Sequence, residues 1–147
     1  VAEALSLLAM SLRQQGDYAG AKPLLEQTLT LRRQILPARH PDLRTSLSNL
    51  AMIRSDLGEY DAAESLYREA MAGMQASLGK QHPEVAIVMC NLGRLLQSRR
   101  DYAGARALFD DALRIRLDAF GERHPISAEN LNDIGLLLSE SGDAKAA

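Results

Sequence analysis

All three histidines of the chain precede a proline, as His40-Pro41, His82-Pro83 and His124-Pro125, and the step from each to the next is 42 residues. Other columns keep the same step. Tyr18, Tyr60 and Tyr102 align, as do Ala21, Ala63, Ala105 and Ala147, while Gly16, Gly58 and Gly142 share a column that Arg100 interrupts. A fixed stride of this length dictates one supersecondary unit used repeatedly, because each unit must bury against its neighbours what it cannot bury alone. It divides the chain at about 1–40, 41–82, 83–124 and 125–147, a single array whose last unit is incomplete.

Each unit reads as two helices. Proline suits a first helical position, where its missing N–H has no partner to lose. From Pro41, Leu43, Leu47, Leu50 and Ile53 recur three and four apart, which is one helical face. Leu57, Gly58 and Glu59 make a turn, glycine tolerating the left-handed backbone that ends helices. A second helix starts near Tyr60, carries Ala63, Leu66, Tyr67, Ala70 and Met71 on its face, and stops near Leu78 before Gly79. Ala51, with Ala9, Gly93 and Gly135 in its column, lets paired helices approach closely. Leu50, Leu66 and Tyr67 fill the space around it.

Composition narrows the function. Apolar residues at 46% and charged residues at 24% fit an ordered globular chain rather than a disordered one. A net charge of -2 gives no basic footprint for nucleic acid and no pull toward an anionic membrane surface. No apolar run approaches the roughly 20 residues of a membrane span. Cys90 is the sole cysteine, so no internal disulfide forms, and a reducing, cytoplasmic setting is the simpler expectation.

These columns resemble the tetratricopeptide repeat. Repeat two carries the pattern as Leu50, Ala51, Gly58, Tyr60, Ala63, Tyr67 and Ala70, and repeat three as Leu92, Gly93, Tyr102, Ala105, Phe109 and Ala112. Repeat one has Leu8, Ala9, Gly16, Tyr18 and Ala21, then departs at Leu25 and Thr28. The usual period is about 34 residues, so each unit here has about two extra helical turns, assigned to the second helix. The long unit, the His-Pro junction and the Asn-Leu-Ala/Gly core are similar to the kinesin light chain subclass. The resemblance implies an all-α fold, an α-solenoid in which about three and a half antiparallel helix pairs wind into a right-handed superhelix. It also implies that the first helices line a concave, ligand-facing surface.

Several positions depart from the pattern. Pro37 stands where Gly79 and Gly121 stand, so the helix before it should end by Leu36. Arg54 occupies a leucine column, as either a snorkelling arginine or a loosened contact. Arg100 replaces the turn glycine at a backbone cost, and Ala144 replaces the tyrosine. The chain starts mid-pattern without an initiator methionine and stops at Ala147, so both ends read as cuts through a longer array. Leu136, Leu137 and Leu138 should then be partly uncovered, and self-association or fraying is expected there.

In the first helices, the face opposite the core holds Ser48, Asn49 and Met52 in repeat two and Cys90, Asn91, Arg94 and Gln97 in repeat three. Repeat one contributes Met10 and Arg13, and repeat four Asn132. The resemblance places Asn49 and Asn91 in the column that holds a peptide backbone. A carboxamide donates and accepts at once, as a peptide group requires. Met10 and Met52 offer adaptable apolar contacts, and Arg94 suits an acidic ligand residue. The plainer alternative is an ordinary solvated helix face. A clamp for a C-terminal carboxylate would need basic residues flanking the asparagines, which Ser48, Cys90, Asn132, Leu7 and Asp133 do not supply, so an internal peptide stretch is the expected ligand.

Nothing in the sequence supports catalysis, a metal or a cofactor. One histidine per unit, each at a junction, suits packing or hydrogen bonding across the loop rather than ligation of a shared ion. Cys90 lacks a nearby His, Asp or Cys at a useful spacing. Asp110 and Asp111 sit on a charged helix, and the glycines form no phosphate loop. Two readings stay open. One is a scaffold that grips a peptide or partner protein. The other is a regulatory or self-association segment of a larger bacterial signalling enzyme, such as a serine/threonine kinase, with the groove serving the parent's own domains.

Overall fold

A computed structural model of the chain describes residues 1–142. The departure at Ala144 and the column member Ala147 lie outside these. The described residues form seven helices: α1 (Ala2–Gln14), α2 (Tyr18–Ile35), α3 (Pro41–Asp56), α4 (Tyr60–Leu78), α5 (Pro83–Ser98), α6 (Tyr102–Phe120) and α7 (Pro125–Ser141). The second helix of each pair is the longer, at 18, 19 and 19 residues against 13, 16, 16 and 17 for the first. The second helix thus exceeds its partner by 5, 3 and 3 residues, about one turn, which is part of the extra length expected of it. The helices fall into two compact units, Val1–Ser77 and Leu78–Ala147.

The His-Pro columns start helices for a specific reason. Each histidine is the N-cap, and its Nδ1 accepts from the backbone N–H two residues on: Asp42 at 3.2 Å, Glu84 at 3.2 Å and Ile126 at 3.3 Å. Proline removes one orphan donor of the first turn and the imidazole satisfies another. Asp17 and Asp101 cap α2 and α6 by accepting from Gly20 and Gly104. Glu59, in their column, turns instead to Lys22 and Arg54.

Turn chemistry follows the columns. Gly16, Gly58 and Gly142 all have positive φ, and Arg100 adopts the same conformation at φ 63°. The turn geometry thus outweighs the side-chain penalty. Pro37 ends α2 differently from its column mates: Leu36 is extended at φ -110°, ψ 145°, whereas Gly121 caps α6 at φ 81°.

In the first unit, α1 and α3 both pack against α2 around Ala9, Ala21, Leu25, Leu29, Leu47, Leu50 and Ala51. Ala63, Tyr67 and Ala70 of α4 are buried there too, while Leu66 is only half buried. Arg54 is neither a simple snorkel nor a loosened contact. Its guanidinium bonds Glu26 at 2.7 Å and Glu59 at 2.8 Å, tying α3 to α2 and to the turn. In the second unit, α5 and α7 flank α6 around Val85, Leu92, Leu95, Phe109, Ile115 and Leu137. Leu137 is 1% exposed, Leu138 half buried and Leu136 52% exposed, so the expected uncovering falls chiefly on Leu136.

Candidate functional site

In the second unit the faces of α5 and α7 turned away from the core enclose a cleft of about 390 Å³. Ile87, Asn91 and Arg94 of α5, Phe120 and Arg116 from the end of α6, and Ile126 of α7 line it. A second, more polar cleft of about 690 Å³ continues along the same helices, lined by Gln97, Ser98, Arg100, Tyr102, Leu136 and Glu140. Arg94 borders both.

The wall between the clefts is an ion pair. Arg94 reaches across to Asp133 with Nε at 3.1 Å and Nη2 at 2.8 Å, and to Glu129 at 3.4 Å. Burial works against the arginine's charge. The hydrogen bond and charge of Asp133 outweigh it and hold the guanidinium above its ordinary pKa. Arg94 is therefore engaged within the chain, not waiting unpaired for a ligand acid. Beyond it, Gln97 donates to Glu140 at 2.8 Å. The same contact joins Arg13 to Asp56 in the first unit, at 3.0 Å and one residue more than a full stride apart.

Cys90 sits on the floor of the smaller cleft at 1% exposure. Its thiol donates to Asn130 Oδ1 at 3.3 Å, and the Asn130 amide donates to the carbonyl of Phe109 at 3.1 Å. Burial pushes the thiol pKa up to about 11, with Arg116 pulling the other way. Cys90 thus shapes the cleft without offering a nucleophile or much contact surface.

The sequence-derived residues distribute unevenly. Asn91 and Gln97 are half buried on the cleft side of α5, and Asn132 is exposed on α7 outside both clefts. In the first unit, Met10, Arg13, Ser48, Asn49 and Met52 are all half buried, and the Ser48 hydroxyl has no partner among the described residues. Two residues that shape the site were not singled out, Asn130 and Arg116, and Asp133 was placed on the ligand-facing side without its partner Arg94. A signal existed for that pairing. The column of Asn49 and Asn91 continues as Asp133, and an amide becomes a carboxylate 39 residues, three short of a stride, beyond Arg94. Asn130 and Arg116 gave no comparable signal, since both lie on faces that periodicity assigns to the core. Among the described residues no cluster of His, Cys, Asp and Glu could hold a metal ion, and no helix is long and apolar enough to cross a membrane.

A tetratricopeptide repeat family model matches residues 1–76, 42–118 and 95–147. No curated protein matches the chain. Among solved structures, the chain is similar to BtubC (BKLC) from P. vanneervenii, at 29% identity and a TM-score of 0.87 over 98% of this chain. It spans 57% of that protein's length. It also shares its fold with a Podosopora anserina protein assigned as a kinesin light chain, with nearly identical TPR-like repeats. That match has 22% identity and a TM-score of 0.88, over 98% of this chain and 68% of the other.

Proposed function

This chain belongs to the tetratricopeptide repeat family, whose arrays generally serve as protein-interaction modules, and from that premise we propose that it holds extended peptide segments on the faces of its first helices. The observation that carries the reading is the cleft between α5 and α7. Asn91 stands on one wall with its amide free of any described bond, and Ile87 and Ile126 flank it with exposed apolar surface. A peptide laid there would meet an amide matched to its backbone and apolar walls for its side chains. Asn49, Met10 and Met52 offer the same chemistry in the first unit. Arg13, Ser48, Gln97 and Asn132 are secondary candidates, and Arg94 and Cys90 act through the shape they give the cleft.

The test is capture of peptides from a display library by the 147-residue chain, followed by affinity measurement on Asn49→Ala, Asn91→Ala and the double variant. Loss of a backbone-matched amide should weaken binding by about tenfold. Undiminished affinity in the double variant would remove these faces from the account.

A second reading, contact with another copy of the chain or another part of a longer protein such as a bacterial signalling enzyme, has one observation in its favour. Leu131 and Leu136 of α7 are each about half exposed. Sedimentation velocity would show concentration-dependent mass that Leu131→Glu with Leu136→Glu abolishes. A concentration-independent monomer would end the self-association form of this reading.

A further inference from the structure

A pocket of about 410 Å³ opens in the first unit where α2 and α4 flank α3. Its floor is Leu29, Leu50 and Leu66, one leucine from each helix. Its walls are short side chains, Thr30 of α2 with Ala62 and Ser65 of α4. Glu26, Arg33 and Arg54 complete the lining. Arg54, the arginine that stands in a leucine column, is drawn aside to Glu26 and Glu59. Arg33 ties α2 to α4 by holding both carboxylate oxygens of Glu69 at 2.8 Å. None of these residues belongs to the ligand-facing columns of the first helices.

The polar atoms of the lining select what can enter. A cation would meet Arg33 and Arg54, an anion would meet Glu26, and each of these charges already has a partner inside the chain. Binding an ion would disrupt one of those pairs, so the pocket favours a neutral group. What remains for hydrogen bonding inside it is acceptor. Thr30 donates its hydroxyl proton to the carbonyl of Glu26 at 2.9 Å, and Ser65 to that of Asp61 at 3.1 Å. Each oxygen keeps a lone pair. Glu26 spends Oε1 on Arg54 and keeps Oε2. The remaining donors of Arg33 lie at the half-exposed rim, open to solvent. A neutral head that only donates, carried on a large apolar body, is the indole of tryptophan. Hydroxyls, amides and imidazole each bring an acceptor that these oxygens cannot satisfy.

We propose that this pocket is a second interaction surface, taking one tryptophan side chain of a partner protein with its Nε1–H directed to the oxygens of Thr30, Ser65 or Glu26. The sequence holds no tryptophan, so the occupant comes from a different protein and not from a second copy of this one. The polar set occurs once. The columns of Thr30, Arg54 and Ser65 read Ala72, Leu96 and Ala107 one stride on. An aromatic anchor in a small pocket ringed by polar groups is a common energetic centre of protein interfaces. The surface is built on second helices with α3 as its floor, and it goes beyond the peptide-holding reading: either stands without the other.

The test uses the 147-residue chain, with leucine methyl resonances followed by NMR during titration with N-acetyltryptophanamide and with its indole N-methyl derivative. The first should shift the methyls of Leu29, Leu50 and Leu66 saturably. The derivative should bind about fivefold more weakly for want of one hydrogen bond. Thr30→Val with Ser65→Ala should narrow that gap. Ser65→Leu, at an exposed helix position that leucine suits, should fill the pocket and abolish the shifts while the backbone amide spectrum stays that of the folded parent. Asn49→Ala with Asn91→Ala should leave the titration unchanged, whatever it does to peptide binding. No saturable shift at the three leucines, equal affinity of the two probes, a gap that Thr30→Val with Ser65→Ala does not narrow, full binding to Ser65→Leu, or dependence on the two asparagines would overturn the site.

Discussion

Gly93 and Gly135 occupy one column, each the eleventh residue of its helix, and they should respond oppositely to the same methyl group. A Cβ at Gly93 would lie 2.6, 2.9 and 3.1 Å from Cε1, Cδ1 and Cζ of Phe109, whose ring is wholly buried. Carbon pairs prefer about 3.5–4.0 Å, so the ring or the helix must give by about 1 Å in a close-packed site. Overpacking of this kind costs about 1–3 kcal/mol. A Cβ at Gly135 meets nothing within 4 Å. Both substitutions gain helix propensity of about 1 kcal/mol. Gly135→Ala should therefore stabilise by up to about 1 kcal/mol, and Gly93→Ala should fall below it by the clash alone, about 1–3 kcal/mol. Repeat two keeps Ala51 with Tyr67, so helices can be spaced for a methyl beside an aromatic, and such relaxation sets the low end of the range. Repeat one pairs Ala9 with Leu25, so adding Phe109→Leu to Gly93→Ala should recover part of the loss. Repeat arrays need not unfold in one step, so the measurement is native-state hydrogen exchange at the amides of α5 and α7 alongside urea denaturation. Equal stabilisation by the two alanines would show that Phe109 is not a fixed wall and that the close approach of α5 and α6 is not what selects glycine at this position.

Other expectations follow from single residues. Arg100→Gly should raise stability by about 0.5–1 kcal/mol, because φ 63° costs glycine nothing, and a lower urea midpoint would contradict this. His82→Ala should cost about 1 kcal/mol through the lost cap to Glu84 while His82→Asn retains most of it, as denaturation of the two variants would reveal. Cys90 should resist iodoacetamide at neutral pH in the folded chain and react on unfolding. Its folded-state pKa of about 11 exceeds the ordinary 9.0, so its contribution to stability is intact below pH 9 and is lost as pH rises toward 11. The hydrogen bond from Lys22, ahead of the charge of Arg54, holds the Glu59 carboxyl below 4.5. Its stabilising contribution is thus present above that value and lost as pH falls through the depressed one. Carboxyl NMR titration of Lys22→Met should bring Glu59 back toward 4.5, further than Arg54→Leu does.

Periodicity along the chain was enough to reveal the repeat, the helix starts at Pro41, Pro83 and Pro125, the turn column and the small residues between paired helices. All of these depend on local geometry: backbone conformation at a glycine or proline, and a helical face every three or four residues. The histidines were placed at the junctions correctly, and their role as N-caps needed only the further thought that Nδ1 can reach the second N–H of the helix. What the linear pattern did not show was which polar side chains spend their bonds on one another. Arg94 with Asp133, Cys90 with Asn130 and Arg116 with the carbonyl of Ile126 join different helices, and their partners were chosen by how α5, α6 and α7 pack. Helical periodicity places a residue on a face but carries no information about the residue opposite. Ligand-facing columns can be counted from sequence, whereas the donors left over for a ligand appear only once the packed neighbours have taken theirs.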